Sequence, residues 1–221
     1  MKNSSSENSS KKEQPQYSFE QKLHYPLKSN YLIFKRYFDV IVASGLFAAT
    51  SPVMLLFALL VRLETPGSPV YRQERVGLMG QRFMISKLRS MYANAERKSG
   101  AVWARKHDDR VTKIGRFMRK TRIDELPQLL NVINGEMSLI GPRPERPNLT
   151  EKFSHEVPGF EQRLIVKPGL SGYAQVHGGY DVTPAQKYAM DKHYIENFGF
   201  WEDFKIVFET LRVVITGDGA R

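Results

Sequence analysis

Between Val40 and Val61 no side chain is charged, and a run of that length matches the ~20 residues a helix needs to cross a bilayer. A soluble helix so uniformly apolar would offer water no polar face, so the run predicts insertion into a membrane. Ser51 and Pro52 sit near its middle. Proline removes one backbone hydrogen bond and crowds the preceding turn, which predicts a kink; a serine beside it can satisfy the carbonyl left open. Lys35 and Arg36 precede the run and Arg62 follows it. Basic flanks favour the cytoplasmic side, so neither end is favoured for export. Two geometries remain open on these residues: a helix broken at Ser51–Pro52 that returns to the face it entered, or a kinked helix that spans.

The 221 residues carry a net charge of +10, with a pI of about 9.7. That balance points to anionic partners: nucleic acid, phospholipid or phosphorylated small molecules. The absence of cysteine excludes disulfides and thiolate metal sites. Residues 1–30 are rich in Ser, Asn, Lys, Gln and Glu and are predicted to be disordered. They do not resemble a secretory signal, because the apolar run starts late and lacks a small-residue cleavage pattern. A membrane segment over 31–63 and one basic domain over 64–221 follow, with no internal repeat.

Within that domain, Val70–Val76 and Arg82–Leu88 predict a hairpin turning on Gly77 and Gly80. "MYANAERKSG" predicts a helix ending at Gly100, and a second helix is expected from about Asp124 to Asn134, stopped by Gly135. "KPGLSGYAQVHGG" is expected as loop and strand, and residues 184–216 as mostly helix. The chain is therefore helix-rich α+β.

Asp124 and Glu125 stand side by side just before Pro127. Asp124 fits a helix N-cap, with Pro127 tolerated in the first turn. A helix N-terminus also favours phosphate, and Arg116, Arg119, Lys120, Arg122, Arg143 and Arg146 lie close in sequence. An ionised carboxylate here could attack phosphorus while its neighbour and a divalent cation offset charge on the phosphate oxygens. Mg2+ suits that task, since it binds through one or two carboxylates plus substrate phosphate.

"TRIDELPQLLNVINGEMSLIGPRP" closely resembles the signature of the bacterial sugar transferases, the small monotopic phosphoglycosyl transferases. The likeness extends to "KRYFDVIVA", the Ser51–Pro52 pair, "YRQERVGLMGQRFMISKLRSM", "KPGLSGYAQVHG" and "YIENFGFWEDFKI", covering residues 35–216. The resemblance implies transfer of a sugar 1-phosphate from a UDP-sugar to polyprenyl phosphate, with release of UMP. It implies Asp124 as nucleophile of a covalent phosphosugar intermediate, Glu125 as the Mg2+ ligand, and Arg143 as a contact to substrate phosphate, in keeping with the guanidinium fork. Lys87, Arg89, Arg122 and Asp203 are expected in the substrate-binding region. It also implies a re-entrant helix broken at Ser51–Pro52, with Lys35 and Arg36 at the lipid headgroups, on the cytoplasmic face of the bacterial inner membrane. Expected partners are a UDP-sugar, polyprenyl (undecaprenyl) phosphate and the phospholipid membrane, not nucleic acid; a homodimer stays open.

Two departures stand out. Gly179 replaces an arginine that some members carry after "AQVNG", and Phe198-Gly199 stand where many read Trp-Ser. Bland readings cover other features. Asp108-Asp109 is expected as a turn or cap, and His177 and His193 as structural or surface groups. Tyr194, Phe198, Phe200, Trp201 and Phe204 are expected in the core, with a lipid interface as the competing place for such aromatics. A basic membrane-tethered binding module accounts for the charge but not for the acidic pair, and an intact dyad speaks against an inactive homologue. Glucose, galactose and their N-acetylated relatives are equally compatible as the sugar.

Overall fold

The computed structural model describes residues 29–93, 95, 108–178 and 182–216. The disorder expected before residue 29, most of the helix expected over 91–100, and Gly179 lie outside the described residues. Met91, the described start of that helix, instead pairs with Val111 as an isolated β-bridge.

The apolar run forms most of α1, Ser29–Glu64. Helical backbone continues through Ser51 and Pro52 without interruption. Pro52 has no N–H to offer the carbonyl four residues earlier, that of Ala48, and Ser51 Oγ donates to that oxygen at 2.9 Å. Thr50 Oγ1 donates likewise to Leu46 O at 2.7 Å. Among the described residues α1 is the one helix long and apolar enough to cross a membrane, and only 11% of its most apolar stretch is buried. Lys35, Asp39, Ala43, Met54 and Val61 are its buried positions. Their spacings are close to whole numbers of turns, so a single face lies on the protein along the whole helix. Leu55, Leu59, Leu63, Ile41 and Tyr37 project outward. A core helix of a soluble protein would not leave such residues bare.

Glu64 ends α1 by accepting the backbone N–H groups of Lys113 and Ile114, at 2.8 and 3.3 Å. Those are orphan donors of α2, Lys113–Lys120, whose N-cap is Thr112. Between the two helices lies the expected hairpin at the expected bounds: β1, Val70–Val76, antiparallel to β2, Arg82–Leu88.

The acidic pair departs from the expected geometry. Arg122 adopts left-handed backbone (φ 60°), and a 3₁₀ turn over Ile123–Gln128 follows it. Asp124 is therefore inside the turn and caps nothing; regular helix α3 runs only over Leu129–Asn134. Pro127 has no N–H for a longer α-helical ladder, and the tighter turn sets both carboxylates after a sharp reversal. Gly135 ends α3 at φ 87°, as its type predicts.

Two short parallel strands, β3 (Ser138–Ile140) and β4 (Gly169–Ser171), are joined through α4, Pro147–Glu156, and a 3₁₀ turn over Phe160–Ile165. Their backbones meet so closely that a Cβ on Gly169 would fall 2.1 Å from Gly141 N. That approach fixes the Gly-Pro-Arg-Pro segment against the Lys-Pro-Gly segment. Helices α5 (Tyr173–His177), α6 (Pro184–Glu196, with a Thr183 capping box) and α7 (Phe200–Thr216) close the fold. One core cluster joins Ala43 of α1 to Phe83, Ile85, Leu129 and Val132; another gathers Ile140, Tyr194, Phe198 and Ile206.

The aromatics divide. Tyr194 and Phe198 are buried, as expected of core residues, whereas Phe200, Trp201, Phe204 and Phe208 are exposed on α7. Phe34 of α1 meets Phe200 edge-to-face at 6.2 Å, so the bare apolar faces of the two helices adjoin.

Candidate active site

A cavity of about 700 Å³ opens beside the 3₁₀ turn and is lined by Asp124, Glu125, Lys87, Arg75, Arg119 and Arg143, among others. That is ample for a nucleotide-sized ligand. Lys87 arrives from β2, Arg119 from the last turn of α2, and Arg143 from the segment pinned by the Gly141–Gly169 contact.

The two neighbouring acids are in opposite states. Glu125 Oε1 receives Lys87 Nζ at 2.6 Å and a close Arg143 Nη2 contact, while Oε2 has only a long Arg143 approach at 3.4 Å. Burial alone would raise its pKa, but Arg143 and Lys87 hold it well below the usual carboxylate range. Glu125 in turn pushes the Arg143 pKa up, while burial lowers that of Lys87. Asp124 is buried, and its carboxylate makes no hydrogen bond or ion pair with any described residue. Burial and then the Glu125 charge push its pKa up to about 6, against the pull of Lys87, Arg119 and Arg143. One acid is clamped as a fixed negative charge; the other has no partner among the described residues.

The remaining expected site residues separate. Arg122 lines the cavity. Arg89 lines it too, but its two terminal nitrogens donate to Thr65 O, Thr65 Oγ1 and Pro66 O at 2.8, 2.9 and 2.6 Å, fixing the exit from α1. Asp203 is not part of the cavity wall. It accepts from Lys35 Nζ and Tyr31 Oη, both at 2.5 Å, and from Tyr194 Oη at 2.8 Å, fastening α1 to α6 and α7. Lys35 is thus turned inward rather than toward headgroups. Arg36 donates to Val132 O and Ile133 O at 2.6 and 2.7 Å, bracing the last-turn carbonyls of α3. Both basic residues act as staples because each finds a fixed acceptor on the face α1 buries. Asp108 sits at a turn with its carboxylate held by Arg110 Nε at 2.8 Å, and His177 stacks on Tyr173.

Of the polar row along one wall, sequence reading missed Tyr71, Gln73 and Glu145. Gln73 Nε2 donates to Tyr71 Oη at 2.9 Å, Arg75 Nη2 to Gln73 Oε1 at 2.6 Å, and Arg75 faces Glu145, which holds Lys187. Strand alternation in β1 puts Tyr71, Gln73 and Arg75 on one face, a signal present in the sequence. The partnership of Glu145 with Lys187 of α6 had no local signal.

A buried carboxylate without a partner among the described residues, set in a cavity rich in arginine and lysine, is an arrangement suited to phosphorylated ligands. The chain belongs to the bacterial sugar transferase family, whose profile matches residues 30–217. It is 58% identical, over 62% of this chain and 75% of the relative, to a putative undecaprenyl-phosphate N-acetylgalactosaminyl 1-phosphate transferase of Bacillus subtilis. It is 46% identical, over 86% of this chain, to the UDP-N-acetylgalactosamine-undecaprenyl-phosphate N-acetylgalactosaminephosphotransferase of Aeromonas hydrophila, of whose length it spans 46%. To the UDP-glucose:undecaprenyl-phosphate glucose-1-phosphate transferase of Caulobacter vibrioides it is 43% identical, over 84% of this chain and 71% of that protein. These relatives are all named as transferases.

Proposed function

We propose that this chain transfers a sugar 1-phosphate from a UDP-sugar to polyprenyl phosphate in two displacements at Asp124. Asp124 attacks the β-phosphorus, the bond to the bridging oxygen breaks, and UMP leaves with the electron pair. An oxygen of the lipid phosphate then attacks the same phosphorus and frees the carboxylate. UMP needs no proton to depart, since its phosphate carries a second pKa near ~6. The division of labour within the dyad carries this reading: Glu125 is neutralised by Lys87 and Arg143, while Asp124 has no partner among the described residues. A module that only bound anions would gain nothing from a buried, uncommitted acid. The names of the relatives support undecaprenyl phosphate as acceptor and UDP-sugars as donors.

Glu125 Oε2, with one long contact among the described residues, fits Mg2+, which asks for few carboxylates when substrate phosphate completes its shell. Bound there, Mg2+ would offset the charge of the diphosphate. Arg143 and Lys87 hold Glu125 in place, and Arg119 adds positive charge at the reacting carboxylate.

Isotopically labelled UMP should exchange into UDP-sugar without any lipid acceptor, because the first displacement is reversible and complete in itself. Exchange that requires the lipid phosphate would contradict the two-step route. The pH profile gives a second expected outcome. Only ionised Asp124 is nucleophilic, so kcat/KM for the UDP-sugar should be level above pH ~6 and fall about tenfold per pH unit below it. A profile flat down to pH ~5 would exclude Asp124 as the titrating group.

The bare faces of α1 and α7 support a protein set into the membrane surface, and membership of the bacterial sugar transferase family, not the Ser51–Pro52 pair by itself, favours a re-entrant helix on the cytoplasmic face of the inner membrane. The cysteine-free chain makes the test direct. Single cysteines at Asn30 and Ser68 should both resist a membrane-impermeant maleimide in whole spheroplasts and both react after lysis. Opposite accessibility at the two ends would establish a spanning helix.

A further inference from the structure

Residues 142–146 belong to no helix or strand, yet the segment carrying Arg143 is held at every carbonyl from Pro142 to Glu145. Pro142 O accepts from Gly169 N and Glu145 O from Val76 N, both at 2.9 Å. Between them, Arg143 O accepts from Arg163 Nη2 at 2.8 Å and Pro144 O from Arg75 Nη1 at 3.1 Å. The outer two anchors are backbone groups; the inner two are arginine side chains. The two soft rotations of a residue lie between the peptide planes on either side of it. Gly169 fixes the plane before Arg143 through Pro142 O, and Arg163 fixes the plane after it through Arg143 O. Pro144 adds to this, since a residue before proline is kept out of helical backbone. The direction in which the Arg143 side chain leaves the chain is thereby set.

Arg163 is itself held. It is buried in the 3₁₀ turn over Phe160–Ile165. Its Nε and Nη2 lie 2.9 and 2.6 Å from Oδ2 of Asp191, a buried residue of α6, and its guanidinium carbon is 4.9 Å from the centre of the Phe160 ring. Neither Arg163 nor Asp191 lines the cavity, whereas Arg75 does. Arg163 is therefore the anchor whose effect on Arg143 can be separated from contact with a ligand. Replacing a buried ion pair by apolar side chains of similar volume is often neutral for stability. What such side chains would not supply here is an N–H placed on Arg143 O.

We propose that Arg163, held by Asp191, is a positioning residue that aims Arg143, setting its guanidinium on Glu125 and toward the donor diphosphate in the cavity. The inference rests on the proposed reaction, in which Arg143 keeps Glu125 in place and faces the phosphates. It extends the site beyond the cavity wall, through one backbone carbonyl, to a charge pair between the Phe160–Ile165 turn and α6.

A double-mutant cycle on UMP release tests this, using the full chain in detergent with undecaprenyl phosphate and the better donor of UDP-N-acetylgalactosamine and UDP-glucose. Arg163→Lys keeps the buried charge beside Asp191 but brings one nitrogen where the guanidinium brings three. It should lower kcat/KM by about 10–100-fold, the scale of a misplacement of about 1 Å. Part of that loss should appear as a raised KM, because the diphosphate already carries its charge before reaction; a mere loss of folded protein would leave KM unchanged. Arg143→Ala removes the aimed side chain and keeps the carbonyl. In that background Arg163→Lys should lower kcat/KM less than about twofold, since nothing is left to aim. Asp191→Asn, which loosens Arg163 without removing it, should repeat the pattern at smaller amplitude. Equal losses with and without the Arg143 side chain, an unchanged KM, or collapse of the fold in both Arg163→Lys and Asp191→Asn would show a purely structural pair and overturn the assignment, leaving Asp124 chemistry intact. Absence of UMP release by the wild type from every UDP-sugar tried would instead sink the transferase reading, and this inference with it.

Discussion

Asp124→Asn should lower UMP release by about 10⁴-fold or more, as removal of a covalent nucleophile does, and should also make the protein more stable. The sign follows from linkage. A carboxyl whose pKa rises from 3.8 to about 6 on folding binds its proton more tightly in the native state. Stability from this group is therefore highest in acid, declines as pH climbs from ~4 to ~6, and is lower by up to about 3 kcal/mol at neutral pH. Asparagine keeps the shape without the charge and should recover part of that cost. Thermal unfolding of detergent-solubilised wild type and variant at pH 7.5 should show the variant melting higher, with the gap closing near pH 4. A variant that is inactive and melts lower would mean Asp124 holds the fold together instead of being held against its own preference.

Glu125→Gln should do the reverse. Glu125 is the counter-charge of both Lys87 and Arg143, and removing one member of a buried charge cluster strands the others. The partners keep some exposure, with side chains 18% and 31% accessible, so the expected loss is about 2–4 kcal/mol, somewhat under the fully buried case. For a chain of this size that is a melting temperature lower by about 5–10 °C. The sign is again fixed by linkage. The folded pKa of Glu125 is depressed, so its contribution is complete above the ordinary glutamate range and fades only as pH falls through the depressed value. Turnover should fall as well, because Lys87 and Arg143 would lose the anchor that orients them. Unchanged melting would show that the two cations find other partners.

Much of this arrangement was legible in the residues. The apolar run, the hairpin at Val70–Val76 and Arg82–Leu88, the stop at Gly135 and the dyad with Arg143 all rest on local pattern: charge absence, alternation, glycine conformation, motif spacing. The carbonyl freed by Pro52 and its rescue by Ser51 are local too. What escaped depends on contacts between distant segments. Asp124 reads as an N-cap by residue type, but the left-handed turn at Arg122 puts it inside a 3₁₀ turn. Lys35, Arg36 and Asp203 read as membrane or substrate residues because they are charged and near the relevant motifs. Only the packing of α1 against α3, α6 and α7 shows them bonded to one another or to helix carbonyls.

The most direct test of Asp124 as the phosphosugar carrier is mass spectrometry of protein quenched within seconds of mixing with UDP-sugar and Mg2+ in the absence of polyprenyl phosphate. The account predicts a mass increment of one sugar phosphate on the peptide bearing Asp124, discharged on adding the lipid phosphate and absent from Asp124→Asn. Efficient sugar-phosphate transfer to the lipid with no adduct at any quench time, or with Asp124→Asn still turning over, would contradict it.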